Sequence, residues 1–215
     1  APGVSGSINL TGAVIDDLVL KRHRETVEKD SGPVRLYSPA GTPAQQFAQF
    51  GWLADGVAAP NAQTVWTAPA GAKLTPQTPL TLTWNNTTGQ TFALTLSIDN
   101  DYLITASQRV SNRGTDAISV QPFGLINRTD LTASVDTWNV HAGPIGAFDG
   151  SVSFDDDYDD VVEGKVLNKP GKADWIGFTD IYWMSTLAPA NGAAEGTFRS
   201  LGKNLFRSDL VYEKT

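Results

Sequence analysis

Leu80-Thr81-Leu82-Thr83-Trp84, then Asn85-Asn86-Thr87-Thr88-Gly89, then Phe92, Leu94, Leu96 and Ile98 on every second position, is the stretch that decides the fold. Apolar residues two apart share one face of a pleated strand, and threonine between them suits a half-exposed sheet and weakens any helix. The pattern continues. Asp99-Asn100-Asp101 reads as a turn, Tyr102, Ile104, Ala106 and Val110 alternate, Ser111-Asn112-Arg113-Gly114 turns again, and Ile118 and Val120 alternate. Four strands with regular reversals predict an antiparallel meander with one buried and one wetter face.

The densest aromatic run lies later, from Ala173 to Pro189. It predicts two core strands, Trp175 to Phe178 and Tyr182 to Leu187, linked by Thr179-Asp180 and ended by Pro189, which cannot donate into a ladder. Trp84, Trp175, Phe178, Tyr182 and Trp183 are the expected core aromatics. Further strands are expected at Ser7–Leu10, Val14–Leu20, Val34–Ser38, Ala48–Ala54, Phe123–Arg128, Trp138–Val140, Ile145–Phe154, Gly196–Ser200 and Asn204–Tyr212. Asp55 to Pro79, apart from Thr64–Thr67, and Lys165 to Ala173 read as loop or linker. Asp155 to Val162 is the best helix candidate, because acidic residues favour a helix N-terminus. The expectation is one all-β domain over residues 1–215, with a linker over about residues 1–5 and at most one or two short helices.

The chain has 215 residues, 40% of them hydrophobic, enough to bury a real core. Its net charge of −7 argues against a nucleic-acid partner and disfavours docking on an anionic membrane surface. With no cysteine, thiolate catalysis and cysteine-ligated metal are excluded. No apolar run reaches the roughly 20 residues that span a bilayer. The start on Ala1-Pro2-Gly3, without Met or leader, reads as a processed or excised piece.

Chemical signatures are sparse. There is no nucleophile elbow, Walker loop or His-Glu-x-x-His. His23 and His141 are the only histidines, and His141 reads as a polar-face residue near a turn. Asp155, Asp157 and Asp159 imitate the start of a calcium loop, but the sixth and twelfth positions hold Asp160 and Val166 where glycine and glutamate are needed. No catalytic residue, metal or other cofactor is expected.

Several blocks in order resemble a known family. They are Gly6-Ser7-Ile8-Asn9-Leu10-Thr11-Gly12 running on to Arg22-His23-Arg24-Glu25-Thr26, Tyr37-Ser38-Pro39-Ala40-Gly41-Thr42-Pro43, Phe50-Gly51-Trp52, Leu80–Trp84, Asp101-Tyr102-Leu103, Pro122-Phe123-Gly124-Leu125-Ile126, Gly143-Pro144-Ile145-Gly146, Tyr158-Asp159-Asp160 and Trp175–Trp183. Together they resemble the large periplasmic domain of the membrane protein insertase YidC in its alphaproteobacterial form. That resemblance implies a β-supersandwich similar to galactose mutarotases, in the periplasm, joined to an inner-membrane core that carries the insertion activity. It also implies that the family's last strands and closing helix lie beyond Tyr212, which would leave an exposed C-terminal edge.

The implied role is a non-catalytic interaction and scaffold domain. Its implied partners are the Sec translocon with its accessory subunits SecD and SecF, and nascent membrane-protein substrates. Family precedent puts the contact in the later half, where Arg128, Asp130, Asp155, Asp156 and Asp157 are the expected contact residues. The alternative is a carbohydrate- or peptide-binding mutarotase-like module, although fold alone does not assign function.

Overall fold

The computed structural model describes residues 1–130 and 141–215, so the strand expected at Trp138–Val140 lies outside the described residues. The chain divides into two compact units. Unit 1 is Ala1–Arg35, Gln49–Pro122 and Lys214–Thr215, and unit 2 is Leu36–Ala48 and Phe123–Glu213.

In unit 1, β1 (Val4–Asn9) and β2 (Val14–Arg24) form a hairpin from Val4↔Leu20 to Asn9↔Val14, with a bulge between Ser7 and Ile8. Its turn needs left-handed backbone, supplied by Gly12 at φ +77° and Ala13 at φ +54°. β1 begins at Val4, inside the stretch expected as linker, because the Val4 side chain is buried against the fold. β3 (Pro33–Tyr37) pairs with β2, and Arg35 forms an ion pair with Asp17. β4 (Gln46–Asp55) lies on the other side of β2.

The meander of unit 1 comprises β5 (Leu80–Asn85), β6 (Gln90–Ile98) and β7 (Ile104–Asn112). Leu82, Phe92, Leu94 and Leu96 on its inner face are fully buried, each contributing about 1.5 to 3 kcal/mol. On the outer face the Thr81 and Thr95 hydroxyls bond at 2.9 Å. Trp52 meets Phe92 edge-on at 5.4 Å and stacks on Trp66 at 6.1 Å, while Trp84, 5.7 Å from Phe92, is only half-buried.

The expected fourth meander strand is a correction. Asn112 accepts from the Gly114 amide at 2.9 Å and donates to the Asp116 carbonyl at 2.8 Å, tying a wider loop that leads the chain out of this sheet. Val120 instead exchanges two backbone hydrogen bonds with Thr215, at 2.8 and 2.9 Å.

In unit 2, β8 (Ser119–Thr129, within this unit from Phe123), β9 (Gly143–Phe148), β10 (Ser151–Ser153), α1 (Tyr158–Gly164), β11 (Val166–Asn168), β12 (Ala173–Thr179), β13 (Met184–Leu187), β14 (Ala194–Gly202) and β15 (Leu205–Tyr212) follow in chain order. They form two antiparallel arrangements, β8-β15-β14-β11 and β10-β9-β12-β13. The start of β4 lies beside β8, where the Thr129 amide donates to the Gln45 carbonyl at 3.0 Å. The fold class is all-β, with α1 the one helix among the described residues.

Phe178, Phe198 and Phe206 fill the core of unit 2, with Phe178 and Phe198 rings 5.9 Å apart. Gly196 makes room for this packing, since a Cβ there would sit 2.5 Å from the Phe148 ring and 3.0 Å from Ile176.

The predicted aromatic strand pair exists with different bounds. The Asp180 amide donates to the Trp183 carbonyl at 2.6 Å and the Ile181 amide to Asp180 Oδ1 at 2.6 Å, so the chain turns through residues 180–183 and β13 starts at Met184. Tyr182 sits on that turn and is 77% exposed, which corrects its placement in the core. Trp183 is half-buried, and so is Trp175, which shares the outer parity of β12 with Gly177 and Thr179, while Ile176 and Phe178 point inward.

The single strand expected over Ile145–Phe154 is divided at Asp149-Gly150 into β9 and β10, and the short strand β11 lies inside the expected linker. The expected exposed C-terminal edge is also corrected, because β15 is paired on both sides, to β8 and to β14.

Candidate partner-binding site

The acidic run is first of all a helix start. The Asp157 side chain accepts from the Asp160 amide at 3.0 Å and the Asp160 carboxylate accepts from the Asp157 amide at 2.9 Å, a reciprocal capping box. Their charges also complement the positive end of the short helix. The helix accordingly begins at Tyr158, later in the run than the sequence suggested. Asp156 is half-buried and bonded to Lys169 Nζ at 2.5 Å, whereas Asp155 is exposed. The run therefore divides into two capping carboxylates, one ion-paired carboxylate and two, Asp155 and Asp159, that face water.

Tyr158 fastens this helix to the core. Its ring lies 4.4 Å from that of Phe206 and 6.3 Å from that of Phe178. Burial pushes its phenol up to about 12 from the ordinary 10; Arg128 opposes that shift, while Asp180 and Asp130 add to it. Arg128, Asp130 and Asp180 are thus the charges that act on Tyr158, in the middle of the acidic run.

Arg128 is the residue that the structure moves. Its side chain is 4% exposed, with Nε donating to the Thr129 carbonyl at 2.9 Å, Nη1 to the Thr179 carbonyl at 3.2 Å, and Asp180 3.5 Å from Nη2. A guanidinium held inward in this way is not an exposed partner contact, which corrects that expectation. Buried arginine is viable only when paired and hydrogen-bonded, and no feature of the Asn127-Arg128-Thr129 sequence announces those partners. Asp130 is half-buried, with its amide donating to the Asn204 carbonyl at 3.3 Å. What remains at the surface at the start of α1 is an acidic lip of Asp155, Asp157 and Asp159, with half-buried Asp130 close enough to act on the Tyr158 phenol.

Thr179 anchors a second part of the same neighbourhood. Its hydroxyl donates to the His141 carbonyl at 3.0 Å, so the 2.7 Å contact with His141 Nδ1 takes the hydrogen from the ring. His141 Nε2 and the Tyr158 hydroxyl are buried without a hydrogen-bond partner among the described residues. Sequence reasoning also missed a buried polar group. Gln45 donates to Asn127 at 2.5 Å and Gln46 to Ser185 at 2.7 Å, both pairs joining residues far apart in the chain. Two adjacent glutamines beside a proline-rich loop were their only signal.

The Tyr158 phenol gives a pH test. Its folded pKa lies above the unfolded value, so its contribution is fully present below about pH 10 and is lost as pH rises through about 12. The loss of unfolding free energy across that window is expected to be about 2 to 3 kcal/mol greater than in Tyr158→Phe. Parallel profiles for the two proteins would show that the phenol is not desolvated.

Among the described residues no helix is long and apolar enough to cross a membrane, and no three metal-ligating side chains come together. Comparison with known proteins is informative over the full length. Residues 1–215 match the family model described as YidC periplasmic domain. The chain is 43% identical over 212 residues to the membrane protein insertase YidC of Zymomonas mobilis, covering 97% of this chain and 36% of that protein. It is 42% identical over 228 residues to that of Ruegeria, covering 97% and 37%, and 42% identical over 195 residues to that of Bradyrhizobium diazoefficiens, covering 89% and 31%. The chain thus spans about a third of the length of the curated relatives it matches. A match along every residue, with relatives above 40% identity, establishes that the chain belongs to the YidC periplasmic domain family.

Proposed function

We propose that this chain is the periplasmic interaction and scaffold domain of an inner-membrane protein insertase, and that it works without catalysis. The observation that carries this reading is the full-length match to the YidC periplasmic domain. The partners proposed are the Sec translocon with SecD and SecF, together with nascent membrane-protein chains. The acidic lip supports a contact of the charged, polar-rim kind, which governs association rate and salt dependence more than affinity. Such a contact is weak in isolation and is strengthened when the membrane holds both partners close.

Site-specific crosslinking in the full-length insertase tests the placement, with probes at Asp130 and Asp155 and a control at Lys29 in unit 1. Crosslinks to Sec subunits are expected from the first two and not from Lys29. Equal yields at all three, or none from Asp130 and Asp155, would refute the lip as the contact and leave the family assignment untouched. We further propose that residues 1–215 fold as one domain, because β4 and β8 each run through a boundary between the two units.

A further inference from the structure

We propose that Arg199 and Arg207 form a binding site for a phosphate oxyanion on the outer face of the β14–β15 pair. The two arginines are directly opposite each other in register, on the face away from Phe198 and Phe206. Like charges in that position repel. A single carboxylate holds them: Asp209 accepts from Arg199 Nε at 2.7 Å and from Arg207 Nη2 at 3.1 Å, and its other oxygen lies 2.8 Å from Arg207 Nε as an ion pair without hydrogen-bond geometry.

Asp209 is 6% exposed and needs one cation for neutrality, yet two are present. The group therefore carries a surplus positive charge, which Asp209 orients without cancelling. Both arginines approach the carboxylate through Nε. Among the described residues, the terminal nitrogens of Arg199 and the Nη1 of Arg207 make no other hydrogen bond or ion pair, and the two side chains are 37% and 31% exposed. Planar guanidinium groups with N–H donors left over from Asp209 match the oxygens of a phosphate, and a second anion would relieve the repulsion that the register imposes.

Among the described residues, the side chains that the register sets opposite the two arginines on the flanking strands bring no further carboxylate to them. Val166 lies opposite Arg199 on β11, Leu201 is exposed at the end of β14, and Asn127, opposite Arg207, is occupied by Gln45. Glu195, further along the same face of β14, is tied to Lys172 at 3.7 Å. The net charge of −7 is an average over the chain and does not describe this face, where attraction is decided within a Debye length of roughly 8 to 10 Å. Phosphate could come from solution or from a phospholipid headgroup, and exposed Val166 and Leu201 suit either a free ion beside them or a lipid surface.

Arginine side-chain nitrogen resonances of the 215-residue chain, followed during titration with inorganic phosphate against sodium chloride at matched ionic strength, test the site. Saturable shifts are expected at Arg199 and Arg207 and none at Arg109, an exposed arginine on β7. Arg199→Lys with Arg207→Lys keeps the charge beside Asp209 but loses the planar fork, and should weaken phosphate binding about tenfold. Absence of saturable shifts in the unmodified chain overturns the proposal, whatever the variant's stability, and so does unchanged affinity in the double lysine variant. Flotation with vesicles of phosphatidylglycerol or of phosphatidylcholine separates the sources. Arginine-dependent capture by phosphatidylglycerol identifies the headgroup, and phosphate saturation without capture identifies the free anion, both upholding the site.

Discussion

Phe178→Ala is expected to lower the unfolding free energy by about 3 to 5 kcal/mol, the range for removing a large aromatic from a site that cannot collapse. Phe178 is 1% exposed, and its ring packs against those of Phe198 and Tyr158. Its strand is hydrogen-bonded on both sides, to β9 and to β13, so neighbouring backbone cannot move in to fill the space. Tyr182→Ala, only four residues on, should change stability by no more than about 0.5 kcal/mol, because that ring stands in solvent. Urea unfolding checks both. Equal effects would mean that the turn at residues 180–183 is wrongly placed. If the chain is one domain, tryptophan fluorescence and backbone dichroism should report one coincident transition, and separated transitions would assign the two units independent stability.

Asp209→Ala should cost a similar amount, about 3 to 5 kcal/mol, for an electrostatic reason. The substitution removes the carboxylate between two arginines that the sheet register places face to face, leaving neighbouring like charges and open hydrogen-bonding groups. Since the two arginines share one partner, the effects should not add. Asp209→Ala combined with Arg207→Gln is expected to be less destabilised than the sum of the single changes, by about 1 kcal/mol or more. Strict additivity would show that the three side chains do not act as a unit.

The meander could be read directly because its alternation is continuous and its turns are marked by Asn, Asp and Gly, so local preference and tertiary burial agree. Legibility stops where long-range pairing overrides local signal. Val166–Asn168 is a strand only because β14 is there to pair with it, and three residues carry too little pattern to announce that. Tyr182 shows the opposite failure: an aromatic beside a tryptophan suggests a core strand, while Asp180 caps a turn that lifts it into water. Of the candidate contact residues, the carboxylates around the start of α1 were legible as a charged run. The inward position of Arg128 was not, because it depends on the Thr179 carbonyl and on Asp180, both distant in sequence.

The central place of β15 bears on the order in which unit 2 can be completed. Its residues Leu205–Val211 pair with Thr129–Phe123, and the same strand pairs with β14. A chain emerging from its amino end therefore presents β8 long before β15 exists, and until Val211 arrives that side of β8 has unpaired amides and carbonyls. Contacts of this sequence separation slow folding, and an open strand edge can be met by another chain. The interval between the appearance of Phe123 and of Val211 is thus the period of greatest exposure to misassembly, and a partner that shields β8 during it would act on yield without altering the finished fold.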